Sequence, residues 1–453
     1  MNQKSKFLVE GPVSTALYKM AMPMIFGIVA ILSIMLIDAY FIGQLGVEEL
    51  AAISFTFPVS LTVASLAVGL GAGASSVVAR AIGAGDFERV KRLATDSLFL
   101  SIVLVIIVSI IGFLTIDPLF RLMGASDEIM VLIYDYMVIW YASMPFLVVP
   151  MVANAMIRAT GDALIPSLIM VSIAVVNAIL DPILIFGLYG FPRLEILGAA
   201  WAGFIGRFVS MILAMYVLIY REKLIEFTIH SWAVIKRSWS QVLAIAVPSA
   251  IGNAITPLAV AVVISFIASY GTETVAAFGV ATRIETFAVI PLLALSAAIG
   301  PFAGQNWGAK KLERIKLGFY QGFSFSVIWA TILAVVFWLW AEPLADLFTH
   351  DQVVIKEIAL YLHIVPFSLF GYGMIITASA AFNALGRADT GLYIFIFRNL
   401  VLYIPLSWLA GLYFSSGIVY WAIAATNIIS GVAVGIFALY WIDKKIRGAV
   451  EEG

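Results

Sequence analysis

Long apolar runs separated by short polar segments are the dominant pattern along the chain. Most runs exceed the roughly 20 residues that an α-helix needs to cross a bilayer, so they predict transmembrane helices that are tilted, kinked by proline or extended beyond the lipid. The twelve runs cover approximately residues 14–42, 50–80, 93–116, 130–157, 163–188, 194–220, 240–269, 275–305, 314–341, 354–385, 390–413 and 417–442.

The composition agrees with this pattern. Of the 453 residues, 63% are hydrophobic and 12% are charged, which is more apolar than a soluble protein of this size requires. We therefore predict an all-α polytopic membrane protein. The chain has no cysteine, which excludes disulfides and thiolate metal sites. Its net charge of −1 argues nothing about nucleic acid, and we expect no nucleic-acid partner. The first run contains an acid and is long enough to span the bilayer. It therefore predicts a transmembrane helix and not a cleaved signal peptide.

Lysine and arginine are distributed unevenly between the two sets of loops, which predicts the orientation. If the N-terminus is inside, the opposite loops carry little beyond Arg121, Arg193 and Lys356. We therefore expect a multi-pass protein of the inner cell membrane with both termini in the cytoplasm.

An internal repeat predicts two six-helix lobes related by a pseudo-two-fold axis along the membrane normal. With a shift of 225 residues, Pro23 falls on Pro248 and Gly83 falls on Gly308. The most polar segment lies between the sixth and seventh runs. The predicted organisation is an N-terminal lobe at 1–222, a cytoplasmic linker at 223–237 and a C-terminal lobe at 238–453.

The repeat does not extend to the acids of the first half. Asp38 falls on Val263, and Asp181 falls on Ile404 when the shift is 223. We therefore expect buried ionic chemistry in the first half alone.

Asp38, Asn177 and Asp181 are the strongest candidates for a functional site. Each acid is alone in a run of membrane-spanning length, and Asn177 and Asp181 share one helix face because they are four residues apart. Asp38 and Asp181 lie at similar depths, so they can share a pocket. Two carboxylates in a pocket of low dielectric favour a shared proton, whereas a sodium ion would keep both ionised, with Asn177 as a further ligand. A purely structural role, as hydrogen-bonding groups between helices, is the alternative.

Other polar groups within the runs are weaker candidates. Arg283 and Glu285 share a helix but are two residues apart and cannot pair directly, and either packing or cavity lining would explain them. Arg207 is expected to bond to helix ends or carbonyl groups. Tyr136 matches the depth of the two acids and is a candidate for the cavity. The chain has no nucleotide-binding or hydrolase motif, so we expect neither an enzyme nor a cofactor.

Several motifs together resemble the MATE (multidrug and toxic compound extrusion) transporters over nearly the whole chain. The residues that carry the resemblance are Pro23 and Asp38 in the first run, residues 83–91 (GAGDFERVK), residues 123–126 (MGAS), residues 158–162 (RATGD) and Asn177 with Asp181 and Pro182. Each is weak alone, and the set is specific.

The resemblance implies a cation-coupled antiporter that expels lipophilic, often cationic, compounds. In the similar prokaryotic branch, the residues matching Asp38, Asn177 and Asp181 form the proton or sodium site. A tyrosine and an asparagine of the fourth helix, which match Tyr136 and Asn154, line the same cavity. The candidate substrate cavity comprises these two residues together with Arg283 and Glu285, which are taken from the residue pattern and not from the resemblance.

Two departures from the family pattern bear on the coupling ion. The tenth run has no acid between Glu357 near its start and Asp389 beyond its end, so the sodium site of other branches does not carry over. Relatives often have a threonine where this chain has Gly203, and loss of that hydroxyl favours H⁺ over Na⁺. If Na⁺ is the coupling ion, its ligands would be Asp38, Asn177 and Asp181.

Three functional hypotheses follow. The first is a cation-coupled exporter of drugs or metabolites that acts as a monomer in the bilayer on small molecules. The second is a lipid or glycolipid flippase of the same architecture, which would need several cationic groups for a pyrophosphate; only Arg207, Arg283 and Arg398 are available. The third, a membrane enzyme or receptor, is disfavoured by the short loops.

Overall fold

The computed structural model describes residues 3–228, 231–413 and 416–451, and these residues contain helices and no strands. Residues 229 and 230 of the predicted linker lie outside this range. The α-helices of the described chain are α1 Gln3–Glu10, α2 Val13–Gly43, α3 Val47–Gly83, α4 Phe87–Leu114, α5 Ile116–Leu122, α6 Asp127–Ala159, α7 Leu164–Phe186, α8 Ile196–Tyr216, α9 Trp232–Ile267, α10 Thr272–Ala288, α11 Ile290–Gly308, α12 Leu312–Asp346, α13 Gln352–Ala384, α14 Ala388–Ile396, α15 Ile404–Tyr413 and α16 Ser416–Glu451.

The number of spanning segments agrees with the prediction. Within the described residues, 11 helical segments are long and apolar enough to cross a membrane, and the pair α10 and α11 brings the number to 12 if it counts as one span. The prediction of an all-α polytopic membrane protein is confirmed.

The predicted eighth span is broken. Helices α10 and α11 meet at an angle of 46°, with Val289 between them. Pro291 lies in the first turn of α11 and has no N–H to bond the carbonyl of Phe287, so a straight helix would lose a hydrogen bond there. The sequence pattern predicted the apolar stretch but not the bend.

The predicted eleventh span is also irregular. A π-helical segment, Phe397–Tyr403, separates α14 from α15. A π-helical turn inserts extra backbone into a helix and re-aims its side chains, and such turns are frequent at functional sites. Here it carries Arg398 and Asn399, which are both buried.

The described residues form two compact units. Unit 1 comprises the described residues within 1–22, 83–85 and 248–453, and unit 2 comprises those within 23–82 and 86–247. The first spanning helix therefore begins in unit 1 and continues in unit 2 from Pro23, and α9 changes unit at Pro248.

In unit 1, the core is built on α13, which packs against α10, α11, α12 and α16. Two glycines allow the closest approach between α13 and α16. A Cβ on Gly371 would lie 1.9 Å from the carbonyl oxygen of Asn427, and one on Gly431 would lie 2.2 Å from Cα of Gly371. Small residues let membrane helices approach this closely, so larger side chains at either position would separate the helices.

The short helix α1, which was not predicted, is docked within unit 1. The Arg314 guanidinium donates to the carbonyl oxygens of Leu8 (3.1 Å) and Gly11 (2.7 Å), and the Asn306 amide donates to Leu8 (3.1 Å). These donors satisfy carbonyl groups at the C-terminal end of α1, where the helix has no partner of its own for them.

In unit 2, α6, α7 and α8 pack together, and α4 packs on α6. The contact between α7 and α8 again depends on a glycine, because a Cβ on Gly198 would lie 2.5 Å from the backbone of Leu184. A further contact joins α7 to the start of this unit: the Ser167 hydroxyl donates to the carbonyl oxygen of Pro23.

Candidate functional site

Two spanning helices of unit 2 bring Asp38, Asn177 and Asp181 together. Asp38 lies on α2, and Asn177 and Asp181 lie one turn apart on α7. The carboxyl groups of Asp38 and Asp181 come within hydrogen-bonding reach of each other, and the side chain of Asn177 lies beside Asp38. Asp181 is fully buried and Asn177 is 4% exposed. The three side chains therefore form one cluster, the acid cluster.

Several oxygen atoms of the acid cluster have no hydrogen-bond donor near them. Oδ1 of Asp38, Oδ1 of Asn177 and both carboxylate oxygens of Asp181 are buried without a hydrogen-bond partner in the described part of the chain. Burial and mutual repulsion both oppose the ionisation of two carboxyl groups that lie within hydrogen-bonding reach of each other. A proton or a cation must therefore neutralise part of their charge. The arrangement is therefore suited to bind a small cation.

A glycine of α8 leaves the space that the side chain of Asn177 occupies in the acid cluster. A Cβ on Gly206 would lie 2.5 Å from Oδ1 of Asn177. Gly203, one turn earlier on the same helix, would meet nothing within 4 Å. A side chain at 206 would displace the amide, whereas one at 203 has free space.

Arg207 and Tyr136 lie beside the acid cluster. The charge of Arg207 acts on Asp38, and Tyr136 is within electrostatic reach of Arg207 and both acids. Arg207 donates to the Ser143 hydroxyl, and its guanidinium lies 5.5 Å from the Trp140 ring centroid. Its bonded partner is therefore a hydroxyl group rather than the helix end or carbonyl group that we expected.

Asn154 lies away from this group. It shares α6 with Tyr136, but it lies 18 positions further along the helix, which corresponds to about 27 Å along the helix axis. Its Oδ1 atom is buried and has no hydrogen-bond partner among the described residues. The structure therefore does not bring Tyr136 and Asn154 together.

The remaining predicted residues, Arg283 and Glu285, lie on α10 in unit 1. Arg283 is exposed, whereas Glu285 accepts a hydrogen bond from the Tyr361 hydroxyl and is within electrostatic reach of Arg398. The expectation that buried ionic groups occur in the first half alone is wrong. The alignment of the two halves did not reveal Glu285 and its partners, because only the counterparts of the first-half acids were compared.

A larger metal centre is not present in the described part of the chain, where no group of three or more His, Cys, Asp or Glu residues is arranged to hold an ion. The acid cluster has two carboxylates and one amide oxygen, so a sodium ion bound there would need further ligands.

Comparison with known proteins identifies the family. The MatE family model matches residues 23–183 and again residues 248–409. The chain belongs to the MatE family. The two matches start 225 residues apart, at Pro23 and Pro248, which is the shift of the internal repeat.

Individual relatives agree with this assignment. The MATE chain is 38% identical over 94% of its length to a Shewanella oneidensis protein named FAD transporter, 94% of which is covered. It is 29% identical to the probable multidrug resistance protein YoeA of Bacillus subtilis, over 74% of this chain and 73% of YoeA. The Vibrio cholerae MATE transporter VcmN in the bent form shares 30% identity and a TM-score of 0.89, with 98% of this chain and 99% of VcmN covered.

These findings show that the chain is a multi-pass membrane transporter of a family that carries out multidrug efflux with ion gradients. The two-lobe fold predicted from the repeat is confirmed by the solved MATE structures. The predicted absence of catalysis agrees with a family of transporters.

Proposed function

We propose that this MATE protein is a cation-coupled antiporter that exports small molecules, and that Asp38, Asn177 and Asp181 form its coupling site. The observation that supports this most strongly is the set of four buried oxygen atoms without donors in the acid cluster. Such a site is costly unless it binds a cation, and ionisable groups within spanning helices commonly mark ion pathways.

We propose H⁺ rather than Na⁺ as the coupling ion. One proton between Asp38 and Asp181 would neutralise the excess charge and bridge the two carboxyl groups. Sodium would need more oxygen ligands than the cluster supplies, and Gly203 stands where many relatives have a threonine hydroxyl. If Na⁺ binds here, its ligands are Asp38, Asn177 and Asp181.

Two substrate classes are supported by different observations. Lipophilic cations are supported by the family resemblance and by relatives named for multidrug resistance or export, such as YoeA and MepA. FAD follows from the Shewanella oneidensis relative, which has the higher identity and coverage. The exposed guanidinium of Arg283 is suited to contact the diphosphate of FAD, and Tyr136 and Glu285 are proposed as cavity residues for either substrate. We keep Asn154 as a cavity candidate separate from the acid cluster.

A lipid or glycolipid flippase remains the alternative from the same architecture. A pyrophosphate headgroup would require several available cations, but Arg207 and Arg398 already bond to neutral side chains. We therefore favour a small-molecule exporter. From the distribution of lysine and arginine, we propose that it lies in the inner membrane with both termini in the cytoplasm.

The test is transport from proteoliposomes loaded with FAD or with the fluorescent cation ethidium. An imposed pH gradient, acidic outside, should drive efflux, whereas a sodium gradient of the same size should not. Asp38→Asn protein measured in parallel should give only passive leakage. Efflux driven by sodium alone would contradict proton coupling, and wild-type efflux from the Asp38→Asn vesicles would contradict the proposed site.

A further inference from the structure

A second cluster of ionisable groups lies in unit 1 and has no part in the proposed coupling site. Glu285 on α10 accepts a hydrogen bond from the Tyr361 hydroxyl on α13. Arg398, on the π-helical segment, is within electrostatic reach of the Glu285 carboxyl group. We call Glu285, Tyr361 and Arg398 the unit 1 cluster.

The Arg398 guanidinium is held by neutral groups. It donates to Oδ1 of Asn399 (2.8 Å) and Oδ1 of Asn427 (2.9 Å), and it lies 5.3 Å and 5.5 Å from the ring centroids of Tyr372 and Tyr403. Arg398 is only 7% exposed. Since arginine stays ionised in proteins, these contacts hold a permanent buried positive charge without a carboxylate bonded to it in the described structure.

The amides around Arg398 are themselves fixed. Asn427 donates to the Ser368 hydroxyl (3.0 Å), and Asn399 donates to the Thr256 hydroxyl (3.1 Å). Nη1 and Nη2 of Arg398 therefore keep their amide partners whether or not a negative charge is present nearby, whereas Nε is buried without a partner among the described residues. The cluster therefore differs from a simple buried ion pair. In such a pair, removing one charge leaves the other buried without a partner, at a large cost in desolvation free energy.

The surroundings of Glu285 can accommodate either of its charge states. Ionised, it is stabilised by the phenol of Tyr361 and by the charge of Arg398; protonated, it avoids the cost of a buried charge while Arg398 keeps its amide partners. We propose that Glu285 is a second proton-binding site of this transporter, separate from the acid cluster of unit 2.

The groups that face Glu285 come from several packed elements. Helix α13 contributes Tyr361 and Tyr372, and the π-helical segment contributes Arg398 and Tyr403. Tyr420 of α16 lies behind Tyr361, at a ring-centroid distance of 5.1 Å. On α10 itself, Arg283 is two residues away and exposed. Among these groups, Arg398 is the buried charged group that faces Glu285, in addition to the hydrogen bond from Tyr361.

The first experiment measures protonation directly and does not depend on transport. Infrared difference spectra of the purified protein, between about pH 5 and about pH 9, show protonated carboxyl groups as C=O bands that respond to pH. Glu285→Gln should remove one such band, and Asp38→Asn should leave that band in place. The matched control is Glu357→Gln, which should also leave that band in place. Glu357 lies on α13 and, like Glu285, accepts a hydrogen bond from a hydroxyl group, that of Ser416.

A second pair of variants tests the assignment of the band. Tyr361→Phe should change its frequency, because the Tyr361 phenol donates to the same carboxyl group. Tyr420→Phe removes a buried phenol whose oxygen has no hydrogen-bond partner in the described part of the chain, so the band should keep its frequency. Equal spectra for wild-type and Glu285→Gln protein over the whole pH range would overturn the proposal.

The coupling role rests on the proposed function and has its own readout. In substrate-loaded vesicles, Glu285→Gln should lower the protons taken up per substrate from about two to about one, whereas Asp38→Asn should abolish coupled transport. An unchanged proton count in Glu285→Gln vesicles would refute the second coupling site, even if Asp38→Asn behaves as expected. Wild-type transport by Asp38→Asn would refute the proposed function, whatever the infrared spectra show.

Discussion

At the scale of single residues, the Asp38 carboxylate is the group on which the proposed coupling depends most. It comes from a different helix than Asn177 and Asp181, so it is the member whose charge can link α2 to α7. Replacing the carboxylate by an amide keeps its volume and removes its charge. The effects of charge and packing can therefore be separated at this position.

We expect Asp38→Asn to reduce coupled export to the level of protein-free vesicles while the protein stays folded and inserted. The measurement is substrate efflux under an imposed pH gradient, together with size-exclusion chromatography and thermal unfolding. Asp117→Asn is the control, since Asp117 is an exposed acid that pairs with Arg121 outside the spanning segments. Drug resistance at the wild-type level in cells that carry Asp38→Asn would contradict the role.

Gly206→Ala tests the place of Asn177 in the acid cluster. The new methyl group would lie 2.5 Å from Oδ1 of Asn177 and should displace the amide. A displaced hydrogen-bonding group that costs about 1.4 kcal/mol would weaken proton binding about tenfold. The readout is the external proton concentration that gives half-maximal efflux.

Gly203→Ala is the matched control for this prediction. It makes the same chemical change on the same helix but meets nothing within 4 Å, and glycine-to-alanine changes in a helix usually stabilise it by up to about 1 kcal/mol. Equal transport by the two variants would show that Gly206 does not position Asn177.

The residues that the sequence revealed are those with a local signal. Asp38 and Asp181 stood out because each is a lone acid in an apolar run, and Asn177 because it precedes Asp181 by one helical turn. Tyr361 and Gly206 have no such signal. A tyrosine or a glycine is common in spanning helices, and their importance follows from contacts with residues distant in the chain.

At the scale of elements, the positions of the spanning helices were predictable, but their irregularities were not. Apolar length indicates where a helix crosses the bilayer, because every such segment must satisfy its own backbone hydrogen bonds. The bend between α10 and α11 and the π-helical segment at Phe397–Tyr403 change the backbone without changing hydropathy. These irregularities matter here because they occur in the elements that carry Glu285 and Arg398.

The docked helix α1 provides a prediction at this scale. Arg314→Ala removes both guanidinium bonds to the carbonyl oxygens of Leu8 and Gly11, and hydrogen bonds to charged groups contribute about 2 kcal/mol each. Hydrogen exchange at residues 3–11 should therefore become faster. Lys444→Ala, which removes an exposed basic side chain from the same unit, should leave exchange at these residues unchanged.

At the scale of the whole molecule, two observations agree on the same positions in the chain. The two family matches begin at Pro23 and Pro248, and the chain changes between the compact units at the same two prolines. Proline interrupts backbone hydrogen bonding within a helix, so each of these positions is a place where a helix can bend. The repeat was visible in the sequence, but the proton-binding sites that we propose depend on side chains that differ between its halves.

We expect a proton bound at the acid cluster to release the substrate by changing how α2 packs. While Asp38 and Asp181 are charged, we expect the space around them to stay hydrated, because buried charges need polar partners. Neutralisation removes that need and allows α2, weakened at Pro23, to repack against α7. A proton that enters would then compete with a substrate bound nearby. Such a shift requires that each ligand prefers a different packing.

Spin-label distances within unit 2 can test this mechanism directly. The chain has no cysteine, so Leu36→Cys on α2 and Ile179→Cys on α7, both exposed in the wild type, can be labelled without background. We expect the distance distribution to change between about pH 5 and about pH 8, and to be independent of pH in an Asp38→Asn background. If the distances stay constant while infrared spectra show that Asp38 takes up a proton in this range, protonation does not act through α2, and the substrate must be released by a movement elsewhere.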